Sequence, residues 1–137
     1  MKQVVCALIV RDNRILVTQR GPGSGHAGMW EFPGGKIQAG ETPPEALQRE
    51  VMEELCIAVD IVEPLRPVYH QYPARELLLQ PFLCRWIETE TIVLTEHTES
   101  AWVEIPEGLP EALLPADVAL LKDPYNRERL RRHGLFN

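Results

Sequence analysis

Residues 35–57 read GKIQAGETPPEALQREVMEELCI, and the second half of this stretch crowds three glutamates into five positions. They are Glu50, Glu53 and Glu54, in a chain whose formal net charge is already −6. At about 100° per helical residue, the three carboxylates project within about 100° of one another. Carboxylates held this close repel each other, and a divalent cation relieves the repulsion. The run alone leaves two interpretations open: a cation site, or a solvated helix face, which is the commoner origin of charge runs.

The same stretch predicts a helix over Pro43–Leu55. Thr42 suits the N-cap, Pro43 suits the first helical position, and Glu45 completes a capping box three residues after the cap. An apolar stripe repeats every four residues and consists of Leu47, Val51 and Leu55. The stripe lies roughly a quarter turn or more from the glutamates, so it can be buried while the carboxylates line a cleft. Oxygen ligands of this kind suit Mg²⁺ or Mn²⁺.

The composition predicts a single cytoplasmic domain over residues 1–137. Hydrophobic residues make up 45% and charged residues 25%, ordinary values for a globular protein, and no apolar run approaches the roughly 18 residues of a membrane span. The N-terminal stretch lacks the cleavage site of a signal peptide and is interpreted as a first strand. Three widely spaced cysteines indicate reduced thiols. The acidic balance argues against binding to nucleic-acid polymers but does not exclude a nucleotide.

Elements of both kinds are expected along the rest of the chain. Strands are predicted at 3–10, 15–19, 30–32, 58–68, 76–86, 91–94 and 101–104. Asp12-Asn13 marks a hairpin turn between the first two strands. A C-terminal helix is predicted from 115 or 116 to 132, broken near Asp123-Pro124. This order predicts an α+β fold with helices packed on a mixed, mostly antiparallel sheet.

The spacing within residues 35–57 closely resembles the signature of the Nudix hydrolases. Five residues separate Gly35 from Glu41, seven more precede Arg49-Glu50, and Glu53-Glu54 follow after two. The resemblance implies the Nudix fold, a sheet sandwiched by helices with a loop–helix–loop that binds metal and diphosphate. One position departs, because Cys56 stands where the signature has Gly. A left-handed non-Gly residue costs roughly 1–2 kcal/mol, so a different helix end is expected here.

The resemblance also implies a metal site, with Mg²⁺ as the cofactor and Mn²⁺ as the alternative. The implied ligands are Glu50, Glu53, Glu54 and the backbone carbonyl of Gly34 or Gly35. Arg49 would pair with Glu41 or a neighbouring acid and hold these carboxylates in position. The ion would neutralise diphosphate charge while a carboxylate or the metal deprotonates the attacking water. Glu53 or Glu50 is favoured as that base, with Glu96 as a further candidate near the metals.

Beyond the signature, WEFPGGKI, the arginine ending ILVTQR and the segment LPADVALL look like the MutT branch of the family. That branch hydrolyses nucleoside triphosphates, including 8-oxo-dGTP, to a monophosphate and pyrophosphate. The implied substrate-binding residues are Arg20, Glu31, Phe32, Pro33, Gly34, Lys36, Arg75 and Asp117. Arg20 would contact a phosphate or the nucleotide, and Lys36 would face phosphate oxygens. Phe32 would border the base, and Arg75 would contact phosphate or base.

Asp117 departs from the mutator-type enzymes, which have Asn there to read an oxidised guanine. An ionised Asp only accepts hydrogen bonds, so it suits a base edge that presents donors, such as the amine of cytosine. A MutT-like branch that acts on cytidine nucleotides and damaged bases carries Asp in a similar context. The alternative is that Asp117 merely caps the final helix.

The sequence therefore predicts a Mg²⁺-dependent nucleoside triphosphate pyrophosphohydrolase that sanitises modified nucleotides such as 8-oxo-dGTP or acts on cytidine nucleotides. An ADP-ribose or dinucleoside-polyphosphate hydrolase is the alternative within the family, and Pro73, sixteen residues after the signature, occurs in ADP-ribose cleavers. A non-catalytic nucleotide sensor is the alternative of another class. The expected partner is the nucleotide alone, with neither membrane nor nucleic-acid polymer, in a monomer or homodimer.

Overall fold

Eight strands and three helices make up the part of the chain that the computed structural model describes, residues 1–136. The strands are β1 (Lys2–Arg11), β2 (Arg14–Gln19), β3 (Trp30–Glu31), β4 (Gly34–Lys36), β5 (Asp60–Pro64), β6 (Val68–Tyr72), β7 (Arg75–Arg85) and β8 (Glu99–Val103). The helices are α1 (Pro43–Leu55), α2 (Pro115–Lys122) and α3 (Pro124–Arg131). No helix among residues 1–136 is long and apolar enough to cross a membrane.

The strands form one mixed sheet whose central path runs β3-β2-β1-β7-β5. β1 and β7 are parallel over nine residue pairs, whereas every other pairing among the described strands is antiparallel. The predicted hairpin joins β1 to β2, with Asp12 and Asn13 at φ 49° and 63°. Two consecutive positive φ angles are typical of the tight turn that matches strand twist. The mixed, mostly antiparallel sheet is confirmed.

Helices cover both faces of this sheet because successive side chains of β1 point in opposite directions. Cys6 and Leu8 join one buried cluster with residues of α2 and α3. Val5, Ala7 and Ile9 join the other cluster with the apolar stripe of α1. The predicted stripe is therefore confirmed, and the sheet is sandwiched between helices as the α+β prediction required.

Helix α1 begins as predicted. The Thr42 hydroxyl accepts from the Glu45 N–H, and the Glu45 carboxylate accepts from the Thr42 N–H at 2.9 Å. The expectation of a different helix end is wrong, since Cys56 adopts the left-handed conformation at φ 58° and ψ 33°. The Cys56 N–H donates to the Met52 carbonyl, while the carbonyls of Glu54 and Leu55 accept from a later segment. These long-range bonds satisfy the helix end and offset the local strain.

Two strand predictions are wrong. The strand predicted at 58–68 is shorter than expected: β5 ends at Pro64 and β6 begins only at Val68, because Pro64 and Pro67 have no N–H to give to a ladder. Most of β6 was therefore not predicted. Residues 91–94 form no strand; their backbone lies along the end of α1, where Val93 donates to Leu55. The short strand β4 was not predicted. The break in the C-terminal helix is confirmed, with Asp123 accepting from Asn126 at the start of α3.

Candidate active site

Two glycines allow α1 to pack closely on β4. A Cβ at Gly34 would collide with the backbone of Val5, and a Cβ at Gly35 would collide with the Glu50 carboxylate. The Gly34 N–H donates to Oε1 of Glu54 at 3.0 Å. A side chain at either glycine would occupy this contact region. The absence of side chains therefore lets the Glu50 and Glu54 carboxylates of α1 approach the backbone of β4.

Arg49 ties the loop before α1 to the glutamates on the helix. Its Nε and Nη2 donate to the two carboxylate oxygens of Glu41 at 2.6 and 2.9 Å, which is the predicted pairing. Its Nη1 donates to Glu50 at 2.8 Å and to Glu53 at 3.1 Å, and its Nη2 also reaches the Lys36 carbonyl at 2.9 Å. A planar guanidinium has several donors in fixed directions, so Arg49 can bond to several acidic side chains at once and hold them in one geometry.

The predicted metal ligands do not all face the same space. Glu50, Glu54 and Glu96 line one cavity together with the two glycines. The Glu53 side chain is 57% exposed, lies outside that lining and points to Arg49. The helix periodicity placed all three glutamates on one flank, but only the packing of β4 and the later loop decides which of them reach the cavity.

The electrostatics of this cavity favour a bound cation. Burial, together with nearby Glu31, raises the pKa of Glu54 to about 8, even though the Gly34 N–H acts in the opposite direction. Burial also raises the pKa of Glu50 against the influence of Arg49. Carboxylates whose charged forms are disfavoured by burial regain them when a divalent ion neutralises the site. The donor set therefore fits a hard divalent metal, to be held by Glu50, Glu54 and Glu96.

His97 belongs to the site and sequence reasoning missed it. Its Nε2 lies 2.8 Å from Oε2 of Glu31 and 4.0 Å from Oε2 of Glu54, and its side chain is only 5% exposed. Its Nδ1 is buried and has no hydrogen-bond partner within residues 1–136. The one signal in the sequence was that His97 directly follows Glu96, which is too common an arrangement to single out a residue.

A second cavity adjoins the first and has Asp117 at its wall, with Phe32, Tyr72 and Arg75 also in the lining. Asp117 is buried at the start of α2 and accepts from the Phe32 N–H. The N-cap of α2 is Leu114, so Asp117 does not cap that helix. Burial and then Glu31 raise the pKa of Asp117 well above its usual range. Burial therefore disfavours the ionised carboxylate expected from the sequence and favours the protonated form of Asp117.

Arg20, Glu31 and Lys36 line both cavities. One nitrogen of Arg20 donates to both Glu31 oxygens at 2.9 and 3.1 Å, and its Nε donates to the Gly25 carbonyl at 2.6 Å. Arg20 is thus bound to protein groups here instead of facing open space. The predicted substrate residue Pro33 lies outside both linings; its carbonyl accepts from Ala7.

A cationic rim, formed by Lys2, Lys36 and Arg75, surrounds the second cavity. Strand pairing brings these residues together, since Lys2 pairs with Leu77 on β7 and Lys36 pairs with Val4 on β1. Burial and then the charges of Arg75 and Lys36 lower the pKa of Lys2. The chain has only three lysines, and two of them lie in this rim. An anion placed there would relieve the mutual repulsion.

The fold and the signature helix match one family. The NUDIX domain matches residues 1–123, and the chain belongs to the Nudix family. It is therefore a Nudix hydrolase, a class that in general uses a divalent metal.

Individual relatives show which members of the family the chain is similar to. The chain is 36% identical over 125 residues to a CTP pyrophosphohydrolase of Escherichia coli, covering 89% of this chain and 90% of the relative. It is 38% identical over 103 residues to an 8-oxo-dGTP diphosphatase of Haemophilus influenzae, covering 73% and 74%. Among solved structures it is similar to the E. coli ORF135 protein, with a TM-score of 0.78, 33% identity and coverage of 100% and 95%. A MutT NUDIX hydrolase from Burkholderia pseudomallei gives a TM-score of 0.78 with 30% identity, covering 88% and 95%.

Proposed function

We propose that the protein is a Mg²⁺-dependent nucleoside triphosphate pyrophosphohydrolase that releases a nucleoside monophosphate and pyrophosphate. The observation that carries the proposal is the direct adjacency of two cavities with different chemistry. One holds clustered carboxylates suited to a metal, and the other has the buried carboxyl of Asp117 and an aromatic side chain suited to a base. The named relatives act on CTP and on 8-oxo-dGTP, and modified or cytidine nucleotides are therefore the proposed substrates.

In this proposal Glu50, Glu54 and Glu96 hold the ion, with a carbonyl of Gly34 or Gly35 as an additional ligand. When bound, Mg²⁺ supplies neutralisation of diphosphate charge and activation of water. Of the two favoured bases, Glu50 lines the cavity whereas Glu53 points to Arg49, so the geometry supports Glu50.

The remaining residues of the site bind and orient the nucleotide. Lys36 and Arg75 on the cationic rim have positive charges suited to phosphate oxygens. Arg20 would join them after exchanging its contact with Glu31 for one with the substrate. Arg49 does not touch the substrate in this scheme; it positions the carboxylates through its bonds to Glu41 and Glu50.

Burial of Asp117 favours its protonated carboxyl, and this changes which base edges the residue can recognise. A protonated carboxyl offers one O–H donor and a remaining acceptor, the same combination as an Asn side-chain amide. It can therefore pair with a base edge that has both a donor and an acceptor, such as that of an oxidised guanine or of cytosine. An ionised Asp only accepts hydrogen bonds, so it could pair only with donor groups of the base. In this proposal Asp117 selects the base and Phe32 borders its ring.

Product analysis tests the proposal directly. The protein is incubated with Mg²⁺ and CTP, dCTP, dGTP, 8-oxo-dGTP or ADP-ribose, and the products are separated. Monophosphate with pyrophosphate supports the proposal, whereas AMP with ribose phosphate from ADP-ribose alone would indicate the other hydrolase. Nucleotide binding without turnover would indicate a sensor. Asp117→Asn should alter the relative rates across bases, and an unchanged ranking would remove Asp117 from base recognition.

A further inference from the structure

We propose that His97 supplies a nitrogen ligand to a divalent metal held together with Glu54 and Glu31. The inference rests on the proposed metal-dependent function and extends it, because it adds a donor of different chemistry to the carboxylates of the signature helix. The resulting site has mixed nitrogen and oxygen donors and lies beside the all-oxygen set of Glu50 and Glu96.

The backbone around His97 is held in place by two elements of the fold. On one side the Thr95 N–H donates to the Glu54 carbonyl at the end of α1 at 3.2 Å. On the other side the Thr98 N–H donates to the Gln19 carbonyl of β2 at 3.0 Å. The imidazole is therefore positioned between the signature helix and the sheet without being part of either, and its orientation is determined by long-range contacts.

The donor atoms have spacings that suit a shared ion. The Nε2 of His97 is 2.8 Å from a Glu31 oxygen and 4.0 Å from a Glu54 oxygen, and ligand atoms of the three residues all lie within 4.8 Å of one another. Neighbouring ligands of a metal at about 2.1 Å are separated by roughly 3.0–3.4 Å. The His97–Glu31 distance is shorter than this ligand separation and the His97–Glu54 distance is longer. Small side-chain movements would therefore bring the three donor atoms to the spacing of ligands around one ion.

The polar contacts of the ring support a role in the site. Its Nε2 faces the two carboxylates, and its Nδ1 has no partner within residues 1–136. Glu31 also accepts from Arg20, but a carboxylate has about four lone-pair sites and can serve both partners. No Lys or Arg nitrogen among the described side chains lies within 4.0 Å of the Glu54 carboxylate, whereas the His97 nitrogen does.

A nitrogen donor changes which metals are preferred. Imidazole suits transition metals, whereas Mg²⁺ prefers oxygen ligands. We therefore expect Mn²⁺ and Co²⁺ to bind at the Glu31–Glu54–His97 position, while Mg²⁺ affinity depends mainly on the carboxylates. The expected consequence is a Co²⁺ affinity that is sensitive to His97 and a Mg²⁺ affinity that is not.

The test is electron spin-echo modulation spectroscopy of the full chain loaded with Mn²⁺, without nucleotide, which detects nitrogen bound to the metal. The wild-type protein should show ¹⁴N coupling, and His97→Gln should lose it. The matched control is His133→Gln, because His133 also lies beside a carboxylate, 3.7 Å from Glu63, but away from both cavities. That variant should retain the coupling.

Calorimetric titration with Co²⁺ and Mg²⁺ supplies a second readout. His97→Gln should weaken Co²⁺ binding by at least about tenfold and leave Mg²⁺ binding within about twofold. Glu31→Gln provides a second variant, which should weaken Co²⁺ binding while retaining the nitrogen coupling of Mn²⁺. Thermal melting of each variant shows whether the fold is kept.

Wild-type protein that binds Mn²⁺ without nitrogen coupling would overturn the inference, as would coupling that persists in His97→Gln. A Co²⁺ affinity that is unchanged in both His97→Gln and Glu31→Gln would also overturn the inference. If Mg²⁺-dependent hydrolysis is present in any of these cases, the proposed function stands and only the nitrogen ligand fails. Protein that binds no Mn²⁺ at all would overturn the inference and the metal dependence together.

Discussion

The protonation of Glu54 should make the metal-free protein lose stability as pH rises. The folded protein holds this proton up to a pKa of about 8, whereas the unfolded chain releases it near the ordinary value of 4.5. Between these values the folded state binds more protons than the unfolded state, so each pH unit lowers the free energy of unfolding by about 1.4 kcal/mol. At pH 7 the free energy of unfolding is therefore lower than at pH 4.5 by on the order of 3 kcal/mol from this group.

Glu54→Gln removes this titration and keeps an oxygen to accept from the Gly34 N–H. We therefore expect the variant to gain stability relative to wild type between pH 5 and pH 8, by about 1.4 kcal/mol per unit. Denaturant unfolding in the presence of a chelator measures the difference. Excess Mg²⁺ at pH 8 should restore stability to the wild type but not to the variant, because ligands must be deprotonated to bind metal.

Glu53→Gln is the matched control, since Glu53 lies on the same helix with an exposed side chain. Its stability should follow the pH dependence of the wild type. If Glu54→Gln and the wild type show parallel curves in chelator, the reasoning from burial of Glu54 is refuted. Buried Asp117 and Glu50 contribute slopes of the same sign, so the comparison rests on the difference between variant and wild type.

Three further predictions concern local geometry. Cys56→Gly should raise the melting temperature by about 3 °C, because relief of the left-handed strain is worth about 1 kcal/mol, whereas Cys56→Ala should give no gain. Gly35→Ala should lower Mg²⁺ affinity by at least about tenfold in a calorimetric titration, because its Cβ displaces the Glu50 carboxylate; unchanged affinity would contradict the packing argument. Lys2→Gln should raise KM several-fold with kcat little changed, whereas Lys122→Gln, outside both cavities, should leave KM unaltered.

Local signals account for what could be predicted about α1. The N-cap, the capping box and the apolar stripe all act between residues at most four positions apart, and the observed helix has the predicted ends. The pairing of Arg49 with Glu41, eight residues apart, was instead implied by the family resemblance. Where prediction failed in this region, at Cys56, the deciding bonds come from Val93 and Thr95, some forty residues away along the chain.

The strand errors have a comparable cause. A run of β-favouring residues does not determine which groups its N–H and C=O groups will bond. Residues 91–94 were therefore predicted as a strand, although the Val93 N–H donates to the Leu55 carbonyl at the end of α1. The short β4 escaped prediction because two of its three residues are glycines, which carry no β signal. Its existence depends on pairing with β1.

The amino-acid sequence by itself determined the family, the helix that carries the glutamates and the first strand with the hairpin turn that follows it. Each of these depends on spacing or periodicity, which act over a few residues. The tertiary structure alone decided that Glu54 enters the cavity while Glu53 remains exposed, that Asp117 is buried, and that His97 reaches Glu31 from 66 residues away. Burial and long-range proximity create these properties, because both depend on which segments the fold brings together.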